Sequence, residues 1–386
     1  MIMVILAGTG AFAMTFDVGN NKIDLYGSLR AFTIFNNTDK GDVLARDRSQ
    51  FTLGLQPNSR MGVRWTQGDI FVHGEMGMGG PVAGSTGADG DVYLRLLYGD
   101  YKFGGGSGGR IRVGQIATIA NTHAVYDRKL NQDNGLQGYG TMLEQRRFGI
   151  NYEIGGFSVS AISMRQDSSV VTGRFSGIGL SNVAFAEIMP KFEVAYTIVP
   201  SFKVVGAYVK SSVVADNETV ADKHYHVDAG HIAVIATPQL SDKVKLVASG
   251  FYSVNGGLYQ MVSIGGGFNE YEAVSRSEWA YPVLKELKAD KVEWNNTSVF
   301  GGAVALVIDA FEVGFGIQNA DNDAWEDNQT GMGIYANYKF RVANSFRITP
   351  EFGYLHSGDR GRAATSTSTP QDTKGFQAGI QFRFDI

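Results

Sequence analysis

Apolar and polar residues alternate through much of the chain, and the segment 375–386 (GFQAGIQFRFDI) shows the alternation most clearly. Its even positions are all apolar, whereas the polar residues Gln377, Gln381, Arg383 and Asp385 occupy odd positions. Successive side chains of a β-strand point to opposite faces of the sheet. The pattern therefore predicts a strand with one apolar face and one polar face.

The same alternation, bounded by clusters of Gly, Asn, Asp and Pro, recurs along the whole chain. It predicts sixteen strands, at 22–35, 49–66, 69–78, 91–103, 109–118, 145–154, 157–165, 183–198, 202–211, 225–237, 243–253, 297–308, 311–319, 331–342, 346–356 and 375–386. Pro57 interrupts the second strand and indicates a bulge, because proline has no backbone N–H to donate.

The connections between these strands alternate strictly between short and long. The short ones lie at 67–68, 104–108, 155–156, 199–201, 238–242, 309–310 and 343–345, and the others are long. An antiparallel meander of this kind has all its short turns at one end. An even number of strands with short turns at one end and long loops at the other is typical of outer-membrane β-barrels. We therefore predict an all-β transmembrane antiparallel barrel whose short turns are periplasmic and whose long loops are extracellular.

Composition narrows the class of protein. The 386 residues include 50 glycines, 8 prolines and no cysteine, which excludes disulfides and thiolate metal sites. A formal charge of -4 is too small to indicate a nucleic-acid partner. No apolar run approaches the roughly 20 residues that a membrane-spanning helix requires. A membrane location would therefore require a closed barrel, the other structure that satisfies all backbone polar groups in lipid.

The N-terminal segment predicts an export signal. The sequence MIMVILAGTGAFA is apolar and ends in Ala11-Phe12-Ala13, which fits the A-x-A pattern before a signal-peptidase site. We interpret 1–13 as part of a signal peptide that lacks its basic region, and 14–386 as a single transmembrane β-barrel domain. An ordinary apolar N-terminal segment is the alternative interpretation.

Several short motifs resemble, in their order and spacing, the general diffusion porins of Gram-negative outer membranes. They are LYGSL at 25–29, NSRMGV at 58–63, RLLYGDYKF at 95–103, GRIRVGQ at 109–115 and RRFGINY at 146–152. The resemblance implies a homotrimer of sixteen-stranded barrels in which the third loop folds into the lumen and narrows it. That loop corresponds here to about 119–144. Two departures are the C-terminal Ile386, where the family usually ends in Phe, and the absence of a PEFGG-like tract from the loop.

Basic residues on the inward faces of the early strands are the candidate functional residues. The resemblance implies a constriction in which wall arginines face acids on the third loop. The predicted basic wall comprises Arg30, Arg60, Arg64, Arg95, Arg110, Arg112 and Arg147, and the predicted loop acids are Asp127, Asp133 and Glu144. Arg30, Arg60 and Arg95 match by motif position, and the others follow from strand phase. The alternative is that these arginines form structural networks within the wall.

Two other segments have weaker chemical signatures. The acidic loop with Asp321, Asp323, Glu326 and Asp327 could hold a divalent cation or bridge lipopolysaccharide phosphates through one. A solvated loop tip explains the same residues, so no metal site is predicted. The segment 254–296 includes EYEAVSRSEWAYPVLKELKAD, the only stretch with helical character, and could cap or plug the mouth of the barrel.

The sequence thus predicts a porin of the bacterial outer membrane that allows passive diffusion of small hydrophilic solutes and ions. Lipid, lipopolysaccharide, the transported solutes and two further copies of the chain are the expected partners. No motif groups a nucleophile with a base, so neither an enzyme nor a cofactor is predicted. The excess of inward arginines over loop acids indicates a preference for anions or zwitterions. A substrate-selective channel is the main alternative, and a surface adhesin or a barrel enzyme would share the architecture.

Overall fold

The structure is a computed structural model of the chain. It describes residues 14–39, 48–56, 58–78, 92–104, 108–130, 135–143, 146–163, 182–187, 189–217, 220–259, 262, 283–287, 292–325, 327–358 and 374–386. The predicted signal peptide at 1–13 lies outside these residues, and so does Pro57. In the part of the chain that is described, no helix is long and apolar enough to cross a membrane.

Twenty-three strand segments account for most of the described residues. In chain order they are β1 (Met14–Val18), β2 (Asn21–Asp39), β3 (Arg48–Leu55), β4 (Ser59–Gln67), β5 (Ile70–Met78), β6 (Val92–Lys102), β7 (Arg110–Ile116), β8 (Arg147–Ile154), β9 (Phe157–Ile162), β10 (Asn182–Glu187), β11 (Lys191–Val199), β12 (Phe202–Asn217), β13 (Val220–Ala236), β14 (Gln239–Ser241), β15 (Val244–Val254), β16 (Val283–Leu287), β17 (Val292–Asn295), β18 (Thr297–Ile308), β19 (Phe311–Asn322), β20 (Gln329–Tyr338), β21 (Phe340–Ala343), β22 (Phe346–His356) and β23 (Lys374–Asp385). Two 3-10 turns are described, at His123–Val125 and Gly256–Tyr259.

Twenty-one of these segments form a closed antiparallel barrel of sixteen strands, which confirms the predicted fold class, and β16 and β17 form a separate hairpin. Consecutive segments such as β3 and β4, or β10 and β11, belong to one barrel strand. Closure joins β2 to β23 through a ladder that begins at the pair Ser28 and Asp385 and ends at Asp39 and Lys374. Backbone bonds between Gly27 and Ile386, of 2.7 and 2.8 Å, complete this seam. This seam closes the sheet into a barrel.

The second barrel strand is interrupted where the sequence predicts a bulge. Ala31 pairs with Leu55, but Ser28 pairs with Arg60, so the strand gains two residues relative to β2. Because side chains alternate with a period of two, an insertion of two residues preserves the face of every later residue. Odd-numbered residues therefore face outward before the interruption, as Phe51 does, and also after it.

Burial in the barrel is the inverse of burial in a soluble protein. On β11, Phe192, Val194 and Tyr196 are exposed, whereas Lys191 and Glu193 are fully buried. Phe51 on β3 is 65% exposed although it is large and apolar. Exposed apolar surface on this scale marks contact with a nonaqueous environment. The outer face is therefore suited to lipid, and the polar face lines the interior.

The hairpin β16–β17 corrects the expectation of helical character between 254 and 296. Residues Val283–Leu287, which include part of the helix-favouring run, pair with Val292–Asn295 as a two-stranded sheet. Trp294 donates from Nε1 to the backbone oxygen of His226, 3.1 Å away, and so attaches the hairpin to β13. Contacts of this kind override local helix propensity, which amounts to only tenths of a kcal/mol per residue.

The inverted burial predicts that a charge is tolerated on one face of β11 and not on the other. Val194→Asp places a carboxylate against lipid near the middle of the strand, where we expect a cost of up to about 2 kcal/mol. Thr197→Asp, on the polar face of the same strand, is the matched control. The fraction of heat-modifiable folded barrel after refolding into lipid vesicles should fall for the first variant alone. Equal yields for both would contradict the assigned orientation.

Candidate functional site

The loop between β7 and β8 lies inside the barrel. We call residues 117–146 the inner loop; its described residues are 117–130, 135–143 and 146. Leu130, Leu136, Tyr139 and Met142 of this loop are less than 2% exposed. A loop on the outside of a barrel could not bury such side chains, and their burial here results from packing against the inner wall.

The carboxylate of Glu351 on β22 holds the middle of the inner loop. It accepts hydrogen bonds from the backbone N–H groups of Lys129, at 2.5 Å, and Leu130, at 3.2 Å. The Arg128 Nε lies 3.5 Å from the same carboxylate, and both side chains are about 1% exposed. Buried backbone donors require partners, and Glu351 supplies them at a position where the loop has no regular structure.

A second carboxylate, Glu312 on β19, holds the adjacent part of the loop. It accepts from the backbone N–H of Asp127 at 2.8 Å and from the Tyr335 hydroxyl at 2.6 Å. Lys339 contacts both acids, at 2.6 Å from Asp127 Oδ2 and 3.2 Å from Glu312 Oε2. Asp127 also pairs with Lys129. The sequence analysis predicted that Asp127 faces the arginine wall. In the structure it pairs with Lys129 on the loop and with Lys339 on the side of the barrel away from that wall.

Glycines on β18, β19 and β20 allow the backbone of the loop to lie directly on the wall. A Cβ atom at Gly316 would come within 2.2 Å of the Tyr139 backbone oxygen. Gly140 has a φ of +120°, and a Cβ there would be 2.2 Å from the Gly302 oxygen. Tyr126 adds a hydrogen bond of 2.5 Å to the Ala303 oxygen. Burial raises the pKa of Tyr126 to about 12, which keeps its hydroxyl neutral and able to donate.

The beginning of the inner loop is held by a buried ion pair. Lys191 Nζ and Glu193 Oε1 on β11 are 2.8 Å apart, and neither side chain is exposed. Glu193 Oε2 accepts the backbone N–H of Ile119 at 2.9 Å, and Lys203 donates to the Ile119 oxygen at 3.1 Å. At its other end Arg128 contacts Gln377 on β23, and Leu130 packs against Phe32 and Ile34 on β2, so the described loop contacts the wall from β11 round to β2.

Four of the predicted arginines pair with acids on their own wall. Arg95 and Arg60 approach Glu75, at 2.7 and 3.5 Å. Arg112 binds Asp100 through two hydrogen bonds of 2.6 and 2.8 Å. Arg110 lies 3.5 Å from Asp100 and also pairs with Glu153. The structure therefore brings these residues together along β4–β8, in networks that the sequence analysis had given as the alternative.

The remaining predicted arginines occupy different surroundings. Arg30 is 2% exposed and donates from Nε to Ser28 Oγ at 3.2 Å, close to the β2–β23 seam. Arg147 donates to the backbone oxygen of Arg146 at 3.1 Å. Arg64 is exposed, and its guanidinium lies 4.4 Å from the centre of the Tyr26 ring. Asp133 and Glu144 lie outside the described residues, so their predicted role is not tested.

Arg146, Arg128 and Asp100 were missed from the sequence. Arg146 interacts electrostatically with Arg95, Glu75 and Arg60; burial, followed by the Arg95 charge, lowers the pKa of Arg146 to about 10. It stays protonated at neutral pH. Strand phase predicts that Arg147 points inward and that Arg146 does not. However, Arg146 precedes β8, where the alternation no longer applies. The adjacent basic pair in RRFGINY was the available signal.

The acidic loop shows no sign of a cation site among the residues that are described. Asp321 ends β19, and Asp323 follows in the turn, while Glu326 lies outside the described ranges. Within those ranges, no three His, Asp or Glu side chains come close enough to hold a metal ion. The candidate Asp327 has no described partners for such a site.

The role of Glu351 predicts that its removal exposes the inner loop to protease. Glu351→Ala leaves two backbone N–H groups without acceptors, at a cost of about 1–3 kcal/mol each if they stay buried. We expect the loop to detach and trypsin to cut after Arg128 or Lys129, which are almost fully buried in the intact protein. Mass spectrometry of fragments from the folded protein identifies these cuts. Glu153→Ala, which removes a carboxylate remote from the loop contacts, should leave both bonds protected.

Comparison with known proteins identifies the fold. No protein-family profile matches the chain. No curated protein matches it either. Among solved structures, it is similar to the outer membrane channel DcaP of Acinetobacter baumannii, with a TM-score of 0.60 and 15% identity over 98% of this chain and 100% of that one. OmpF of Salmonella typhi, solved with daunomycin, gives a TM-score of 0.53 and 16% identity over 96% and 100%. OmpT, an outer membrane protein of Vibrio cholerae, gives 0.50 and 13% over 95% and 99%. The chain has the fold of the outer-membrane porins, a closed antiparallel β-barrel of sixteen strands.

Proposed function

We propose that the protein is a porin through which small hydrophilic solutes and ions diffuse passively across the outer membrane. Lipid and lipopolysaccharide surround the apolar exterior in this proposal, and neither catalysis nor a cofactor is involved. The observation that carries it is that water reaches charged side chains inside the barrel. The Arg128–Glu351 pair that holds the inner loop is dry, whereas Arg60 and Arg110 on the opposite wall are partly exposed, and so are Asp127 and Lys339 beside the loop.

The exposed fractions of individual side chains show where water has access. Arg128 and Glu351, on the side occupied by the loop, are each about 1% exposed. Arg60 is 29% exposed and Arg110 is 30% exposed on the other side. Water therefore reaches the wall formed by β4–β8, while the described loop residues pack against β11–β23 and β2. We place the solute passage between the inner loop and the β4–β8 wall.

The charge along this passage favours anions. Arg60 and Arg95 share the single carboxylate of Glu75, and Arg146 adds a further positive charge close to them. Arg64 is exposed nearby and stacks on Tyr26 without a carboxylate partner among the residues described. Charged groups that line a narrow wet passage create a potential that concentrates ions of the opposite sign.

A substrate-selective channel is the second candidate function. The breadth of the inner loop's attachment favours it, because a loop held from Glu193 to Glu351 leaves passage on one side only. The two candidates differ in how conductance responds to solute. A general pore conducts in proportion to bulk salt, whereas a selective channel saturates with its substrate and is blocked by it.

Conductance of the purified protein in a planar bilayer tests the proposal. We expect salt-dependent current steps with a reversal potential on the anion-selective side. Arg60→Gln should lower the anion-to-cation permeability ratio about twofold, since a unit charge roughly 10 Å from an ion in water contributes about 0.4 kcal/mol. Glu75→Gln is the matched control and should raise the ratio. A bilayer that stays electrically silent would refute the channel and leave a surface barrel such as an adhesin.

The proposed assembly is a homotrimer, as the resemblance to the general diffusion porins implies. Native mass spectrometry of the protein extracted in mild detergent should give three times the protomer mass. Bilayer current should accordingly close in groups of three equal steps. A single protomer mass with independent single steps would show that each barrel functions alone.

A further inference from the structure

Four aromatic rings form a continuous patch on the lumen side of β2, β5 and β6. We call Tyr26, Phe71, His73 and Tyr98 the aromatic patch. The ring centre of His73 lies 5.8 Å from that of Tyr26, 6.1 Å from that of Phe71 and 5.3 Å from that of Tyr98. The rings of Phe71 and Tyr98 are 6.1 Å apart. These separations are typical of interacting aromatic pairs. Phe71 and His73 share their strand face with the inward Glu75.

Hydrogen bonds within the patch occupy its polar atoms. The Tyr26 hydroxyl lies 2.6 Å from His73 Nε2 and 2.7 Å from Glu75 Oε2. The Tyr98 hydroxyl lies 3.1 Å from His73 Nδ1. The side chain of Phe71 has no polar atom, and a water-filled diffusion path does not require an apolar ring. Arginines lie over the rings of Tyr26 and Tyr98, and His73 is buried, so the surface that the patch offers a solute is the half-buried ring of Phe71.

Two arginines stack on the patch, and only one of them has a compensated charge. The Arg112 guanidinium lies 4.3 Å from the centre of the Tyr98 ring, and Asp100 binds it through two hydrogen bonds. Arg64 lies 4.4 Å from the centre of the Tyr26 ring and is exposed.

Arg64 has no acid to neutralise it within the described part of the barrel. Its cross-strand neighbour is Asp24, which instead accepts from Thr15 at 2.7 Å and lies 3.7 Å from Lys22. The ion pairs of the other wall arginines involve Glu75, Asp100 and Glu153. Arg64 therefore presents an accessible positive charge beside apolar ring surface.

We propose that the aromatic patch and Arg64 form a binding site for aromatic carboxylates. This inference rests on the proposed function, because the site lies on the wall of the passage. Arg64 binds the carboxylate, for which the guanidinium geometry is well suited. The Phe71 ring contacts the aryl group. A small inorganic anion would use the charge alone, and a neutral sugar would find the tyrosine hydroxyls already engaged.

Calorimetric titration of the folded protein in detergent tests the site with two probes of equal charge. Benzoate carries an aromatic ring, and cyclohexanecarboxylate carries a saturated ring of similar size; empty micelles correct for partitioning. We expect benzoate to bind about fivefold more tightly, as aromatic stacking and cation–π contacts of roughly 1 kcal/mol imply. Equal affinities for the two probes, or no binding of either, would overturn the proposal.

Three variants separate the contributions of charge and ring. Arg64→Gln should weaken both probes by at least about fivefold, the scale of one charged hydrogen-bond contact. Phe71→Leu keeps an apolar side chain but removes the ring, and should weaken benzoate alone. Arg341→Gln, an exposed arginine on β21, is the control and should change neither affinity. An unchanged benzoate affinity in Arg64→Gln or Phe71→Leu would refute the assignment of those residues.

The experiment also distinguishes this inference from the channel itself. Calorimetry does not require ion flow, so benzoate binding without bilayer conductance would support the site and refute the channel. Conductance without a preference for benzoate over cyclohexanecarboxylate would support the channel and refute the site. Heat-modifiable mobility on gels confirms that each variant remains a folded barrel before it is titrated.

Discussion

The absence of water in the hydrocarbon of a membrane is the constraint on which the rest of this structure depends. Every backbone N–H and C=O group at that depth needs a partner within the protein, and a closed antiparallel ladder provides one for each. The seam between β2 and β23 is therefore as important as any hairpin. Once the ladder closes, the outer face must be apolar, and the polar face is left to line an interior that has to be filled by water or by protein.

The same requirement shapes the interior, because the inner loop brings further backbone groups into the barrel. Three wall carboxylates accept its N–H groups: Glu193 at Ile119, Glu312 at Asp127, and Glu351 at Lys129 and Leu130. Considered from the sequence alone, the negative charges of these acids offset the positive charges of the wall arginines, because the acids also point inward. Lys191, Lys339 and Arg128 pair with these acids beside the loop, so the acids do not neutralise the arginines of the β4–β8 wall. The side without the loop retains Glu75, Asp100 and Glu153 against a larger number of arginines.

The strands could be predicted from the sequence because lipid imposes a strict alternation on every one of them. The partners of the charged residues could not, since they depend on register and on a loop that has no periodicity. Asp127 illustrates the limit: its acidity indicated a role opposite the arginines, but its place against Lys339 follows from how Glu312 fixes the backbone nearby. Arg146 lies just before β8, outside the range where alternation carries information. The hairpin β16–β17 replaced a helical expectation because its contact with β13 outweighs local propensity.

In the proposed channel, arginines of the β4–β8 wall that lie close together act jointly on a passing ion. At physiological ionic strength a charge is felt in water over about 8 Å. Arg110 and Arg112 are two residues apart on one face of β7, roughly 7 Å along the strand, whereas Arg60 and Arg64 are four residues apart on β4, roughly 13 Å. In the proposed channel, an anion that leaves Arg110 is therefore already within the field of Arg112. The carboxylates beside these arginines would shorten its residence, and the gradient across the membrane would determine the direction of net movement.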